Sequence, residues 1–172
     1  GAVVPTYLVP PPRWIVEGDF HQSTRYPTGT RITRAYTNNV MIRTEILREL
    51  APPFDEQLEL TGGSDELFFR RVHQQGHKMI WADQAIVYDF VPPSRTTLRW
   101  ILQRAFRYGI TMPLFERKVH PELHGATKFL AKGGRWVLTG ILVLPVTWLF
   151  GRHVTARYLR QICFGTGIIA GA

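Results

Sequence analysis

The chain has 172 residues, of which 45% are hydrophobic, and this composition suffices for a folded domain with a buried core. Basic side chains outnumber acidic ones by 21 to 13, and the surplus lies in residues 94–160, which hold 12 basic and 2 acidic side chains. An excess of this kind indicates an anionic partner, such as a lipid surface, nucleic acid or a phosphorylated substrate. The single cysteine, Cys163, excludes an internal disulfide and a cysteine-rich metal site.

The predicted elements of the first half alternate between strands and helices. In chain order they are a strand at 1–9, a tight turn at 27–30, a strand at 35–42, a helix at 43–50, a helix at 64–75, and strands at 77–82 and 84–90. Pro52-Pro53 is expected to stop the first helix, and Gly76 to end the second. This alternation predicts an α/β domain with a mixed sheet and flanking helices.

A long basic helix is predicted next. Ser94 is a good N-cap and Gly109 a good C-terminal stop, and four arginines lie largely outside the apolar stripe of the helix. The arginines can form a solvated face, or Arg104 and Arg107 can bind a phosphate by forked hydrogen bonds, with Tyr108 stacked on a ring. The spacing leaves both interpretations open.

The C-terminal part of the chain differs in composition. Residues 136–150 carry no charge over 15 residues, which as a helix would span roughly 22 Å, less than the roughly 30 Å of a hydrocarbon core. Basic residues lie on both sides of this run, so we expect a shallow or hairpin-like insertion into a membrane. Gly167 and Gly171 have the spacing that allows two helices to pack closely.

The stretch TGGSDELFFR, residues 61–70, contains the main catalytic candidate. Asp65 and Glu66 fall in the first turn of a helix, where negative charge is stabilising, and Ser64 or Thr61 can cap it. The pair can therefore be a helix cap only. Alternatively, Gly62 and Gly63 leave room for a substrate, and Asp65 acts as a general base toward a sugar hydroxyl. Two histidine pairs, His73 with His77 and His120 with His124, do not lie on unbroken helices and are not expected to bind metal.

The order of the motifs resembles the second half of a family 2 glycosyltransferase. The motifs are TNNVMIR, FDEQL, the run from GGSDELFFRRVHQQG to IVYDFVPPSR, and RAFRY. The resemblance covers about residues 1–110. The resemblance implies a GT-A fold, of which this chain is the acceptor-side part, and a role in bacterial exopolysaccharide or cell-surface glycan synthesis. It also implies an inverting transfer from a nucleotide-sugar to a glycan or lipid-linked acceptor.

The resemblance also implies roles for individual residues. Asp65 matches the catalytic base, and Ser64 stands where the family usually has Glu. Arg104, Arg107 and Tyr108 match a motif that contacts the acceptor or the diphosphate, with Tyr in place of Trp. The predicted substrate-binding residues are Asn38, Asn39, Gly62, Gly63, Ser64, Glu66, Arg104, Arg107 and Tyr108. Asp89 falls where some members place a metal ligand and is the candidate here.

The family's Asp-x-Asp motif, which holds Mg²⁺ or Mn²⁺ on the sugar-nucleotide, does not occur in this chain. The chain begins without methionine and ends in an apolar run, so we expect it to be the C-terminal piece of a longer enzyme and inactive alone. The expected division is an acceptor-side domain at 1–115, a basic linker at 116–135 and membrane-associated helices at 136–172. The expected location is the cytoplasmic face of a bacterial membrane, with peripheral or re-entrant anchoring.

The rival hypothesis is a non-catalytic module that binds a membrane surface or nucleic acid through its basic segment. The chain has no RNA-binding consensus, and its basic residues are interspersed with apolar ones. Nucleic acid is therefore not an expected partner.

Overall fold

The computed structural model describes residues 1–54, 62–119 and 125–172, and it has a mixed α/β composition. The chain divides into two compact units. The first consists of residues 1–6 and 22–89, and the second of residues 7–21 and 90–172.

Within residues 1–54 and 62–97, four strands and three short or medium helices precede the long C-terminal helices. They are β1 (Ala2–Tyr7), α1 (Arg13–Glu17), β2 (Arg31–Ile32), α2 (Thr44–Glu49), α3 (Ser64–Gln74), β3 (Met79–Ile80) and β4 (Ile86–Val91). β1 pairs with β4 in a small parallel sheet. β2 pairs antiparallel with β3, with Arg31 opposite Ile80 and Ile32 opposite Met79.

The core of the first unit forms around α3. Phe68, Phe69 and Val72 lie on one face of this helix because their spacing follows the helical period, and they pack with Leu50. Both α2 and α3 lie where the apolar periodicity predicts them, and Gly76 follows α3 with a positive φ of 82°. The predicted strands at 1–9, 77–82 and 84–90 are likewise present as β1, β3 and β4.

The predicted strand at 35–42 is wrong. A single 3-10 turn, Thr37–Asn39, occupies this position. The side-chain amide of Asn39 donates to the carbonyl oxygens of Ala2 and Ala85, at 2.8 and 2.7 Å. Asparagine side chains compete with backbone pairing in this way, and the turn is held by these bonds instead of by a strand ladder.

The second unit contains three long helices, α4 (Leu98–Val119), α5 (Ala126–Thr147) and α6 (Arg152–Gly171). α6 packs against both α4 and α5. A core cluster of Ile15, Phe20, Ile101 and Ala156 joins α1 and the turn after it to α4 and α6.

The predicted bounds of the long basic helix are wrong at both ends. Ser94 lies in a 3-10 turn, Pro93–Thr96, and Thr97 caps α4 by accepting a hydrogen bond from the Trp100 N–H at 3.2 Å. The helix continues through Gly109 because this glycine is buried against α6. A Cβ atom there would overlap the carbonyl oxygen of Phe164, so Gly109 permits close helix packing and does not end the helix.

The close packing predicted for Gly167 and Gly171 is confirmed. A Cβ atom at Gly167 would overlap the carbonyl oxygen of Phe106, and one at Gly171 would overlap that of Ile110. Gly133 of α5 and Gly165 of α6 meet in the same manner, since a Cβ atom on either would lie 2.7 or 2.8 Å from the carbonyl oxygen of the other. α6 therefore approaches both neighbours through glycine.

Gly167→Ala is expected to destabilise the protein by about 1–3 kcal/mol, the usual cost of overpacking, because the added methyl group meets backbone atoms that cannot rotate away. Gly134→Ala is the matched control, since no atom lies within 4 Å of its Cβ position on α5. It should be neutral or stabilising by up to about 1 kcal/mol. Denaturant unfolding of the two variants tests this, and equal stabilities would contradict the close-packing interpretation.

The apolar segment belongs to a longer helix than its 15 uncharged residues predict. α5 begins at Ala126, within the predicted linker 116–135, and the helical stretch Ala126–Phe150 has 25 residues. Its most apolar 18 residues have a mean hydropathy of 1.4. At 1.5 Å per residue the whole stretch spans about 37 Å, which is enough to cross a membrane. Within the described ranges it is the single helix long and apolar enough to do so. By length and composition this helix could cross a membrane, and the shallow or hairpin-like insertion stays a prediction.

Candidate functional site

Two glycines in left-handed conformation lead the chain into α3. Gly62 has a φ of 82° and Gly63 a φ of 97°, values that L side chains rarely adopt. Gly63 is the N-cap residue, so the predicted cap at Ser64 is displaced by one position. Thr61, the other predicted cap, lies outside the described residues. Among the described residues, no heavy atom lies within 4 Å of a Cβ position built on Gly62, so they leave space at that point beside the first turn.

The carboxylate of Asp65 is oriented by two backbone N–H groups. Its Oδ1 accepts from the N–H of Glu66 at 2.8 Å, and its Oδ2 accepts from the N–H of Thr37 at 3.3 Å. The residue is half-buried, and within residues 1–54, 62–119 and 125–172 no cationic side chain lies within ion-pair distance of it. The oxygens keep further lone pairs, so an oriented carboxylate at this position can accept a proton.

The bond from Thr37 brings three predicted site residues together, because Thr37 begins the turn that contains Asn38 and Asn39. The Asn39 amide nitrogen is committed to the carbonyl oxygens of Ala2 and Ala85. The Asn38 side chain is exposed on the turn. Sequence reasoning did not find Thr37, since it contributes only backbone and no side-chain pattern marks it.

Glu66 has a different environment from its neighbour. Its carboxylate lies 3.7 Å from the Arg34 guanidinium, and its side chain is 23% exposed. Glu66 therefore forms a partly exposed ion pair, whereas Asp65 is oriented by neutral donors. The two adjacent carboxylates can be distinguished by experiment for this reason.

The predicted residues of α4 form a separate group, which lies in the second unit. Nε and Nη2 of Arg104 donate to the hydroxyl oxygen of Tyr108 at 3.1 and 2.9 Å. The guanidinium carbons of Arg104 and Arg107 lie 5.2 and 6.0 Å from the Tyr108 ring centroid. Both arginines therefore contact Tyr108. Arg107 is exposed and Arg104 is half-buried.

Trp100 is part of this group and was missed by the sequence analysis. The Arg104 guanidinium carbon lies 4.9 Å from the Trp100 ring centroid, a cation–π contact. The signal was available, because Trp100, Arg104 and Tyr108 recur every four residues and so share a helix face. Arg104 is consequently not part of a purely solvated face.

The residues of the described chain do not form a divalent cation site. No group of three His, Cys, Asp or Glu side chains comes together within those ranges. Asp89 is exposed on β4, and His77 contacts Glu49 at 3.2 Å. His120 and His124 lie outside the described residues. The side chains of the described residues therefore do not fit Mg²⁺ or Mn²⁺.

An apolar face runs along α5. It consists of Leu130, Leu138, Ile141, Leu142 and Val146, which are 45–68% exposed. Trp148, Leu149 and Phe150 follow it and are 71, 63 and 67% exposed. Exposed apolar side chains in this number form a patch that in water would favour association with a lipid surface or a protein.

Comparison with known proteins gives one relationship. The succinoglycan biosynthesis protein ExoM of Rhizobium meliloti (strain 1021) is 34% identical to this chain over 100 residues, which is 58% of the chain and 32% of that protein. No family model matches the chain, and no solved structure matches it. The chain therefore spans about a third of the length of this curated relative, and it is distantly similar to part of a succinoglycan biosynthesis protein.

Proposed function

We propose that the chain is the acceptor-side part of an inverting GT-A glycosyltransferase that acts in exopolysaccharide synthesis. The similarity to a succinoglycan biosynthesis protein supports the pathway class. One observation supports the chemistry above others, namely the Asp65 carboxylate, which accepts hydrogen bonds from the backbone N–H groups of Thr37 and Glu66 at the end of a left-handed glycine pair.

In the proposed reaction Asp65 removes the proton from an acceptor hydroxyl, and that oxygen attacks the anomeric carbon of the donor sugar. The bond from the anomeric carbon to the diphosphate oxygen breaks on the opposite face, and the nucleoside diphosphate leaves with the electron pair. One general base and a single displacement invert the anomeric configuration. The exposed Asn38 and the Gly62–Gly63 turn would line the sugar site.

The remaining proposed contacts concern charge and location. Arg104, Arg107 and Tyr108 would bind the acceptor or the diphosphate, and the Mg²⁺ or Mn²⁺ ligands would lie outside the described residues. The apolar face of α5 would rest in a membrane, because exposed aromatic residues such as Trp148 favour the membrane–water interface. The proposed side of the membrane is the cytoplasmic one. This same face also favours a second candidate, a non-catalytic membrane-surface module.

Release of nucleoside diphosphate separates the two candidates. The full-length protein in membrane vesicles is incubated with a panel of nucleotide-sugars, with and without a lipid-linked saccharide extract. Release that depends on both a donor and the extract supports the glycosyltransferase. Binding to vesicles without release from any donor supports the membrane-surface module.

Arg107→Ala is expected to reduce turnover by about tenfold, as the loss of one charge-assisted hydrogen bond to substrate would, while the melting temperature stays nearly unchanged. The reason is that Arg107 is exposed, and exposed substitutions usually change stability by less than about 0.5 kcal/mol. Arg99→Ala, also exposed on α4, is the control for removal of a cation. A parallel fall in melting temperature and turnover would instead assign Arg107 a structural role.

A further inference from the structure

Two arginines of α6 lie against the turn that follows α1. Nε and Nη2 of Arg157 donate to the carbonyl oxygen of Gly18 at 3.4 and 3.3 Å. The guanidinium carbon of Arg160 lies 5.9 Å from the ring centroid of Phe20. Neither arginine belongs to the motifs that resemble a glycosyltransferase.

Arg104 of α4 extends toward the same region. α4 and α6 contact each other in one core cluster through Ile101 and Ala156, together with Phe20. Arg104 lies one helical turn after Ile101, and Arg157 and Arg160 lie within about one turn after Ala156. Burial and the neighbouring positive charges of Arg104 and Arg157 lower the pKa of Arg160. The Arg160 guanidinium stays protonated at neutral pH, so the positive charges of Arg104 and Arg157 both repel it.

No acidic side chain within the described ranges compensates these charges by an ion pair. Glu17, on α1, contacts Arg13 at 2.8 Å and His153 at 3.3 Å. The other nearby carboxylate, Asp19, lies close to Tyr7, and burial together with the negative charge of Asp19 raises the pKa of Tyr7. A bound anion would offset the repulsion between the arginines. A guanidinium suits a phosphate in particular, because it can donate two parallel N–H hydrogen bonds to it.

We propose that Arg104, Arg157 and Arg160 form a binding site for a phosphate group, carried by a membrane lipid or by a soluble diphosphate. Trp100 and Phe20 supply aromatic surface beside two of the cations. The site lies within the second unit and does not include Asp65. Because Arg104 is also a proposed contact for the acceptor or the diphosphate, the inference rests at that residue on the proposed function, whereas Arg157 and Arg160 are new.

Two binding measurements on the full-length protein test the site and distinguish the sources of phosphate. The first is calorimetric titration of the protein, in an uncharged detergent, with inorganic pyrophosphate. The second is flotation with vesicles of phosphatidylglycerol, compared with vesicles of phosphatidylcholine. The variants are Arg160→Gln, which removes one cation, and Arg160→Lys, which keeps the charge without the fork. Arg99→Gln, exposed on α4, is the matched control.

Arg160→Gln is expected to weaken binding by at least about tenfold in one arm, the loss typical of a hydrogen bond to a charged group, with Arg160→Lys between it and the unaltered protein. A loss in the pyrophosphate arm identifies a soluble diphosphate, and a loss confined to phosphatidylglycerol vesicles identifies a lipid headgroup. Equal binding of Arg160→Gln and Arg99→Gln in both arms overturns the proposal. Since sugar transfer is not measured and Arg160 has no role in the proposed reaction, failure here leaves the role proposed for Asp65 untouched.

Discussion

Asp65→Asn is expected to lower sugar transfer by a factor of at least about 10², the lower range for loss of a general base. Asparagine keeps the size of the side chain, and its Oδ1 can still accept from the Glu66 or Thr37 N–H, which now orient the carboxylate. Stability should therefore change by about 1 kcal/mol or less. The amide cannot take the proton of an acceptor hydroxyl, so the loss falls on the chemical step.

Glu66→Gln is the matched control for this substitution. It makes the same chemical change one residue later, and it removes only the partly exposed pair with Arg34, which is worth at most about 1 kcal/mol. Transfer and donor binding are to be measured separately in the full-length protein, so that a loss of affinity is not mistaken for a loss of catalysis. If Asp65→Asn retains near-normal turnover, or if Glu66→Gln is the more damaging, Asp65 is not the base.

The second large effect concerns the apolar face of α5. Leu138→Glu combined with Leu142→Glu is expected to move the full-length protein from the membrane to the soluble fraction. Both leucines are more than half exposed, at 59 and 68%, so the fold does not need them as core. Burial of a leucine side chain in an apolar medium is worth about 1.5–3 kcal/mol, and replacement of two by carboxylates removes that gain and adds a desolvation cost.

The control carries the same added charge elsewhere. Gln22→Glu with Gln74→Glu also introduces two carboxylates at exposed positions, but not on α5. This variant should sediment with membranes as the unaltered protein does. A truncation after Arg117 would be a poorer test, because it would remove α6, whose Ala156 packs in one core cluster with the buried Ile101 of α4. Membrane association of the α5 variant equal to that of the control would show that this face does not hold the protein on the bilayer.

Local signals in the sequence were enough to predict several elements. The apolar spacing of residues 64–75 and the glycine at 76 predict α3 because helix period and termination are properties of a few neighbouring residues. The short apolar runs at residues 77–82 and 84–90 likewise predict the strands β3 and β4, because strand preference is also a property of a few neighbouring residues. The glycine spacing at 167 and 171 also predicted a packing surface, although not the helix that covers it. Asp65 stood out by its place after two glycines, and its role as a base stays a prediction.

Long-range contacts decided the rest. Asn39 holds a turn in place because its side-chain amide donates hydrogen bonds to the carbonyl oxygens of Ala2 and Ala85, which are 37 and 46 residues away in the sequence. Its sequence neighbours alone predict that Gly109 ends the helix. In the structure α4 continues through Gly109, which packs against α6. The grouping of Arg104 with Arg157 and Arg160 likewise requires two helices to meet. Periodicity and capping act within one or two turns, whereas the partner of a buried glycine or a side-chain amide is chosen by tertiary packing, which spacing along the chain does not encode.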